Sequence, residues 1–518
     1  MNQREAGVDL SGEHVSEGKH GVSERSVSEL LSAAAGKWPD AVALVDAGSA
    51  AALTWAEFDA LVNGQSRRLI DAGATPGDRV ALRLPTSADF AVALFATLRV
   101  GAIAVPVPPQ APAAELRQLL DHSGAKILVE RHVTEELPDG VATFTLGSER
   151  SDAVDAFGGG EDIAVISYTS GTTGPPRGVM LSHRALLSNI DQLAAVRPAV
   201  LDRTDRVLLA IPLFHIYGLG PGLLQSVSVG ATVVLSERFN AVRALADCVK
   251  YRVTSVIGVP AMYAEFAALT ADELGEGLST VRRLTSGAAP LHPKVLAGIR
   301  EGTGLGVFEG YGLTECAPVV TTTMVTGYPK PGSVGRPLPG VELRLVDSDG
   351  SDDLVELDPA DLADAFAEEA GGTGLVSIRG ANLFSGYWPD GSDGPDEDGW
   401  FRTGDVGYLD VDGDLHLVDR ANDLIIVNGF NVYPHEVEDV IAELPEVMEA
   451  AVVGVLDERR GEAVKAFVVP RPGASLSEQQ VVEHCAGKLA GYKVPLAVEF
   501  ATALPHSATG KLRRLRLR

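Results

Sequence analysis

Between Ser167 and Arg184 the chain reads Ser-Tyr-Thr-Ser-Gly-Thr-Thr-Gly-Pro-Pro-Arg-Gly-Val-Met-Leu-Ser-His-Arg, small hydroxyl and glycine residues gathered around a cation. Gly171, Gly174 and Gly178 permit backbone angles that turn several N–H groups toward one anion, and Thr169, Ser170, Thr172 and Thr173 add hydroxyl donors. Arg177 supplies a fixed positive charge. Such a segment is suited to grip the oxygens of a phosphate. It is not a mononucleotide P-loop, which ends in Gly-Lys-Ser/Thr where this chain has Arg177-Gly178-Val179.

A loop of this kind must be held between regular elements. The apolar run Ala164-Val165-Ile166 predicts a strand before it, and a helix is expected after it. Thr232 to Leu235 and Ser255 to Ile257 read as further buried parallel strands, separated by helix-length segments, and Thr54 with Glu57 has the spacing of a capping box. This alternation predicts an α/β fold with a large N-terminal part of parallel-rich sheets. Beyond about Gly340 the texture becomes antiparallel, with a hairpin turning at Asp412-Gly413 and a barrel-like arrangement expected. A small mobile α/β part follows, with helices around His435 to Leu444 and Glu478 to Leu489. The expected divisions are a tail over 1–25, a nucleotide- and acid-binding domain over 26–419 and a mobile domain over 420–518. The acidic stretch Asp347 to Gly372 reads as a solvated insert.

A chain of 518 residues exceeds what one core accommodates, and its net charge of -27 disfavours nucleic acid or an anionic membrane as a partner. Cys248, Cys316 and Cys485 are too widely spaced to suggest a disulfide framework or a zinc knuckle, which fits a reducing cytoplasm. The most apolar stretch, Ala91 to Val107, is interrupted by Arg99 and Gly101, so no membrane-spanning segment is expected.

Further motifs follow in order: Pro212-Leu-Phe-His-Ile-Tyr217, Ser286-Gly-Ala-Ala-Pro290, Gly310-Tyr-Gly-Leu-Thr-Glu315, Phe401-Arg-Thr-Gly-Asp405, Asp419-Arg420 leading to Gly429-Phe-Asn-Val-Tyr-Pro434, and Ser507-Ala-Thr-Gly-Lys511. Together with the glycine-rich loop, this series resembles the adenylate-forming superfamily, which contains acyl- and aryl-CoA synthetases, firefly luciferase and the adenylation domains of peptide synthetases. The likeness covers nearly the whole chain.

The resemblance implies an ATP- and magnesium-dependent acid–thiol ligase. Thr169, Ser170, Gly171, Thr172, Thr173, Gly174 and Arg177 would hold the β- and γ-phosphates. Gly287, Ala288, Ala289, Gly310, Tyr311 and Gly312 would enclose the adenine end, with the Tyr311 ring against the base. Thr314 would contact the α-phosphate, and Glu315, with the Ser170 hydroxyl, would bind magnesium. Asp405 would accept hydrogen bonds from the ribose, Arg420 would contact ribose or phosphate, and Gly429 would lie in the same site. Lys511 would bridge the attacking carboxylate and the α-phosphate, and His215 would position the carboxylate at the mouth of the acyl pocket. Two departures stand out: Arg177 where lysine is usual, and Asn422 at the hinge of the small domain, where Asp or Lys is common. They motivate a further reading as a catalytically silent homologue, against which Glu315, Asp405, Arg420 and Lys511 all stand.

Phe214-His215 replaces the Phe-Asp pair of amino-acid adenylation domains, which argues against an amino acid as substrate. Phe-His-Ile-Tyr is similar to 4-coumarate–CoA ligases, whereas Glu309 to Pro318 and Ile425 to Pro434 are similar to bacterial long-chain fatty acyl-CoA synthetases. A medium- or long-chain fatty acid is therefore expected, with Gly218, Gly220 and Gly222 leaving room for its chain. Coenzyme A is the expected acceptor, and the phosphopantetheine arm of an acyl carrier protein is the alternative.

Overall fold

The computed structural model describes residues 25–131, 137–169, 177–346, 373–420, 425–427, 430–457, 461–506 and 512–517, with only the backbone described at 419, 420, 426, 430, 431, 461 and 515. Most of the expected phosphate loop, the acidic stretch 347–372, Asn422, Gly429 and Lys511 lie outside these residues.

Two sheets carry the larger part of the chain. One has nine strands, and its centre is parallel: Val307–Gly312, Arg283–Ser286, Ser255–Gly258, Arg206–Leu209, Thr232–Leu235 and Val42–Asp46 lie side by side in that order. The other has six, running from Ala142–Phe144 through Ile127–Glu130, Arg79–Arg83, Ile103–Pro106 and Ile163–Thr169 to Arg177–Ser182. Their strands are short and apolar because helices cover both faces, and Ile127–Glu130, Thr232–Leu235 and Ser255–Gly258 are buried at every position. The helix Trp55–Asp71 opens with the expected capping box: Glu57 N–H donates to Thr54 Oγ1 at 3.2 Å, and Thr54 N–H to Glu57 Oε2 at 3.0 Å. Ala88–Arg99 and Ile103–Pro106 divide the most apolar stretch into a helix and a strand. Arg99 is buried there because Asp59, Asn63 and Ser32 accept its N–H groups at 2.8, 2.7 and 2.9 Å. Among the described residues no helix is long and apolar enough to cross a membrane.

Val341–Val346, Gly374–Gly380, Trp400–Leu409 and Leu415–Arg420 form a four-stranded antiparallel sheet, with the expected tight turn at Gly413. The last sheet joins Ile425–Val427, Phe430–Val432, Val447–Asp457, Gly461–Pro470 and Ala497–Phe500, covered by the helices Pro434–Ala442 and Glu478–Ala486. It has its own apolar cluster around Val437, Ile441, Val452, Val464 and Val481. One contact to the rest of the chain runs from Lys294 Nζ, which donates to the carbonyl of Ala442 at 3.1 Å.

Three expectations need correction. Arg177 to Ser182 form a strand, antiparallel to Ile163–Thr169, so the segment ends in a hairpin and the helix begins only at His183. The tail does not include Arg25, whose guanidinium pairs with Asp191 at 2.5 Å and whose carbonyl accepts from Gly160 N–H at 3.3 Å. The glycines Gly218, Gly220 and Gly222 do not leave room for a ligand. A Cβ on Gly218 would lie 2.3 Å from the Pro212 carbonyl oxygen, on Gly220 2.9 Å from Pro318, and on Gly222 2.7 Å from Leu209. Protein atoms fill that space, and the glycines permit close packing of a π-helical turn over Gly218–Leu224.

His183, at the start of the helix His183–Ala195, is buried, and its Nδ1 accepts from Val27 N–H at 3.0 Å. Burial lowers its pKa to about 4, against a weaker opposing pull from Asp162. The folded state therefore favours the neutral ring: its contribution is complete above the ordinary histidine range and is lost as pH falls from about 6.5 toward 4. At about 1.4 kcal/mol per pKa unit, some ~3 kcal/mol is at stake. Denaturant midpoints should fall over this interval in the parent protein and markedly less in His183→Gln. Parallel pH profiles for the two proteins would refute this account.

Candidate active site

In open α/β sheets ligands gather beyond the carboxyl ends of parallel strands. The predicted residues meet that requirement from separate strands. Thr169 ends Ile163–Thr169, His215 follows Arg206–Leu209, Gly287 to Ala289 follow Arg283–Ser286, and Thr314 and Glu315 follow Val307–Gly312. Thr169 and Arg177 face each other in the antiparallel pairing, so the two residues that flank 170–176 are fixed.

Gly310 and Gly312 allow neighbouring backbones to approach. A Cβ on Gly312 would sit 1.9 Å from the Pro318 carbonyl oxygen, and on Gly310 3.0 Å from that of Thr321. Between them Tyr311 turns inward, and its hydroxyl donates to Asp405 Oδ2 at 2.6 Å across 94 residues of sequence. Burial, reinforced by the Asp405 carboxylate, pushes the Tyr311 phenol well above its ordinary pKa, so it is a donor. Asp405 is itself buried on Trp400–Leu409, its N–H bonded to Thr403 Oγ1 at 3.1 Å, and its Cα stands opposite that of Arg420.

Glu315 lies half-buried in the short turn Thr314–Cys316. Its carbonyl accepts from Phe384 N–H at 2.9 Å, and its Oε1 accepts from the hydroxyl of Tyr387 at 2.6 Å. A single hard carboxylate beside the flanks of a phosphate loop matches the way magnesium is held, by one or two carboxylates together with substrate phosphates. A second acidic group, Asp410, Asp412 and Asp414, brings carboxylates within 4.8 Å of one another. There Lys330 Nζ donates to all three, at 2.6, 2.8 and 3.2 Å, so an ammonium already occupies the turn.

On the acid-binding side, His215 Nδ1 accepts from Tyr217 N–H at 3.2 Å, which leaves the proton of the neutral ring on Nε2. The Tyr217 ring packs against Gly287, where a Cβ would meet its Cζ at 2.9 Å, and burial raises its phenol to about 12. Ala288 has φ of 71°, a strained left-handed conformation that turns the chain sharply beyond the strand. Leu291 N–H then donates to Glu309 Oε2 at 3.3 Å, and burial raises that carboxyl to about 7.

The structure therefore brings together Tyr217, which His215 contacts, with Gly287, Tyr311 with Asp405, and Glu315 with the strand that opens at Arg177. The Arg177 guanidinium itself is engaged with Tyr387 and Asp393. Ser170, Gly171, Thr172, Thr173, Gly174, Gly429 and Lys511 are not described, nor is the Arg420 side chain. Two buried participants escaped the sequence reading. Glu309 was visible only as a carboxylate within an apolar strand, and Tyr387 carried no signal beyond its neighbours Gly386 and Trp388.

Residues 31–388 match the family described as AMP-binding enzyme, and residues 436–511 match the AMP-binding enzyme C-terminal domain. The chain is 35% identical over 499 residues to a long-chain-fatty-acid–CoA ligase of Yersinia pestis, covering 86% of each protein. It is 36% identical over 488 residues to a feruloyl-CoA synthase of Amycolatopsis sp, covering 92% of this chain and 94% of the other. Among solved structures, o-succinylbenzoate coenzyme A synthetase of Bacillus subtilis, in complex with ATP and magnesium ion, is 30% identical with a TM-score of 0.83, covering 96% of this chain and all of that one.

Proposed function

This chain belongs to the AMP-binding enzyme family of acid–CoA ligases, and from that premise we propose that it activates a medium- or long-chain fatty acid as its acyl-adenylate and passes the acyl group to coenzyme A. The observation that supports the site assignment is that Thr169, in one sheet, and His215, Gly287 and Glu315, in the other, all lie at or beyond the carboxyl ends of parallel strands, with Tyr311, between Gly310 and Gly312, paired to Asp405.

In the first half-reaction a carboxylate oxygen attacks the α-phosphorus of ATP and pyrophosphate departs. The loop from Thr169 to Arg177 cradles the outer phosphates, Thr314 donates to the α-phosphate, and Asp405 accepts from the ribose hydroxyls. Glu315 with Ser170 holds magnesium, which when bound offsets negative charge on the phosphates. Lys511 meets the charge that develops between the acid and the α-phosphorus, while His215, oriented by the Tyr217 N–H, places the acid. In the second half-reaction the thiol sulfur attacks the acyl carbonyl carbon, AMP leaves, and the thiol proton passes to solvent. We assign residues 25–419 to the domain that binds acid and nucleotide, and residues 420–518 to the domain that delivers Lys511. The three free cysteines are all buried, which supports a cytoplasmic setting.

A second reading, an aryl acid of the cinnamate kind, is favoured by one observation: the Tyr217 phenol sits beside Gly287 in a space the glycines of Gly218–Leu224 do not enlarge. AMP release measured with a panel of short, long and aromatic acids, with CoA or a carrier protein as acceptor, separates these readings. The fatty-acid proposal expects kcat/KM to rise with chain length by about tenfold for each two methylenes buried, at about 0.8 kcal/mol per methylene. A clear preference for cinnamates overturns it.

A further inference from the structure

Residues 385–388 run beside the strand that leaves the phosphate loop. Ser385 N–H donates to the Met180 carbonyl at 2.9 Å, Met180 N–H to Gly386 at 3.1 Å, and Trp388 N–H to Gly178 at 2.7 Å. Gly386, with φ of 90°, is required there because a Cβ would lie 2.1 Å from the Gly391 carbonyl oxygen. This run fixes the backbone of Tyr387.

Its ring is then held by two neighbours. The edge of the pair with Phe384 meets it at 5.1 Å and 77°, and the Arg177 guanidinium carbon lies 3.5 Å from its centroid. Asp393 anchors Arg177 in turn. A ring so confined aims its hydroxyl in one direction, and at 2.6 Å it finds Glu315 Oε1. An ionised carboxylate can only accept, so the hydroxyl is the donor in this bond.

We propose that Tyr387 is a positioning residue for the catalytic cation: its hydroxyl fixes one oxygen of Glu315 so that the other serves magnesium, and Arg177 acts chiefly as the clamp on its ring. The departure from lysine at position 177 follows, because a planar guanidinium stacks on an aromatic face in a way that a compact ammonium does not. The inference rests on reading Glu315 as the magnesium ligand.

Tyr387→Phe keeps the ring and its stack and removes only the hydroxyl. Groups that orient a metal ligand typically contribute 10- to 100-fold to metal affinity, so the magnesium concentration for half-maximal pyrophosphate exchange should rise about tenfold. Manganese binding followed by electron paramagnetic resonance, in the full chain with α,β-methylene ATP, should weaken by the same factor without turnover. Transfer to CoA from acyl-adenylate supplied ready-made should be unchanged. Arg177→Lys should shift cation dependence in the same direction by about threefold, because it loosens the ring without removing the hydroxyl. If Glu315→Gln shifts cation dependence and Tyr387→Phe does not, the inference is wrong while Glu315 keeps its role. If Glu315→Gln leaves cation dependence unchanged, the reading beneath it is wrong. Equal loss of both half-reactions in Tyr387→Phe makes the tyrosine merely structural and also overturns the proposal.

Discussion

Lys511→Ala should slow acid-dependent exchange of labelled pyrophosphate into ATP by about 10²- to 10³-fold, the usual effect of removing one preorganised group from a developing oxyanion. The α-phosphorus is attacked by an anion while pyrophosphate, another anion, leaves, so the charge that builds there needs a cation that arrives with the reaction geometry. Transfer from supplied acyl-adenylate to CoA has no such requirement and should proceed at the parental rate. The described residues on either side of position 511 are themselves anchored. His506 and Leu512 pair across the segment, and His506 Nε2 lies 2.6 Å from Glu449 Oε1. Arg514 Nη2 donates to both carboxylate oxygens of Glu438, at 2.8 and 2.7 Å, so this basic residue is anchored rather than part of a loose solvated tail. Measuring the half-reactions separately checks the role, and equal slowing of both with an intact thermal transition would contradict it.

Asp405→Ala should raise the KM for ATP by about 100-fold. Hydrogen bonds to a charged group contribute about 1.5–3 kcal/mol, and the ribose presents its hydroxyls to this carboxylate. The same substitution strands the Tyr311 hydroxyl in a buried position, which costs about 1–3 kcal/mol of folding stability. Asp405→Asn separates the two effects. Its amide oxygen still accepts from Tyr311, so its melting temperature should stay near the parent, while its KM for ATP should rise about tenfold through loss of charge. Initial rates against ATP, with melting curves on the same preparations, give both readouts. A KM unchanged in the alanine variant would remove Asp405 from the nucleotide site.

The α/β architecture, the antiparallel turn at Asp412-Gly413, the capping box at Thr54 and the two C-terminal helices were legible because each is written in short-range chemistry. Buried parallel strands are apolar runs, a tight turn wants glycine, and a cap needs a hydroxyl three residues before a carboxylate. Arg177 to Ser182 misled the reading because a strand that begins with Arg and Gly lacks alternation. It is held as a strand by pairing with Ile163–Thr169 on one side and with the 385–388 segment on the other. Gly218, Gly220 and Gly222 misled it for a related reason. A glycine in a sequence marks missing volume, and only the fold says whether ligand or protein takes that volume.

By itself the sequence determined which chemical groups are available and the order in which they occur: hydroxyls and glycines between Thr169 and Gly178, then Glu315, Asp405 and Lys511. Those are properties of residue type and local spacing, which survive without coordinates, and the class of reaction followed from the family resemblance that this ordered series carries. The tertiary structure decided which groups meet. Tyr311 donates to Asp405 across 94 residues, and Tyr387 to Glu315 across 72, and neither bond has any local signature. Such contacts arise from the packing of one sheet's edge against another's loops, a long-range outcome that no window of sequence contains.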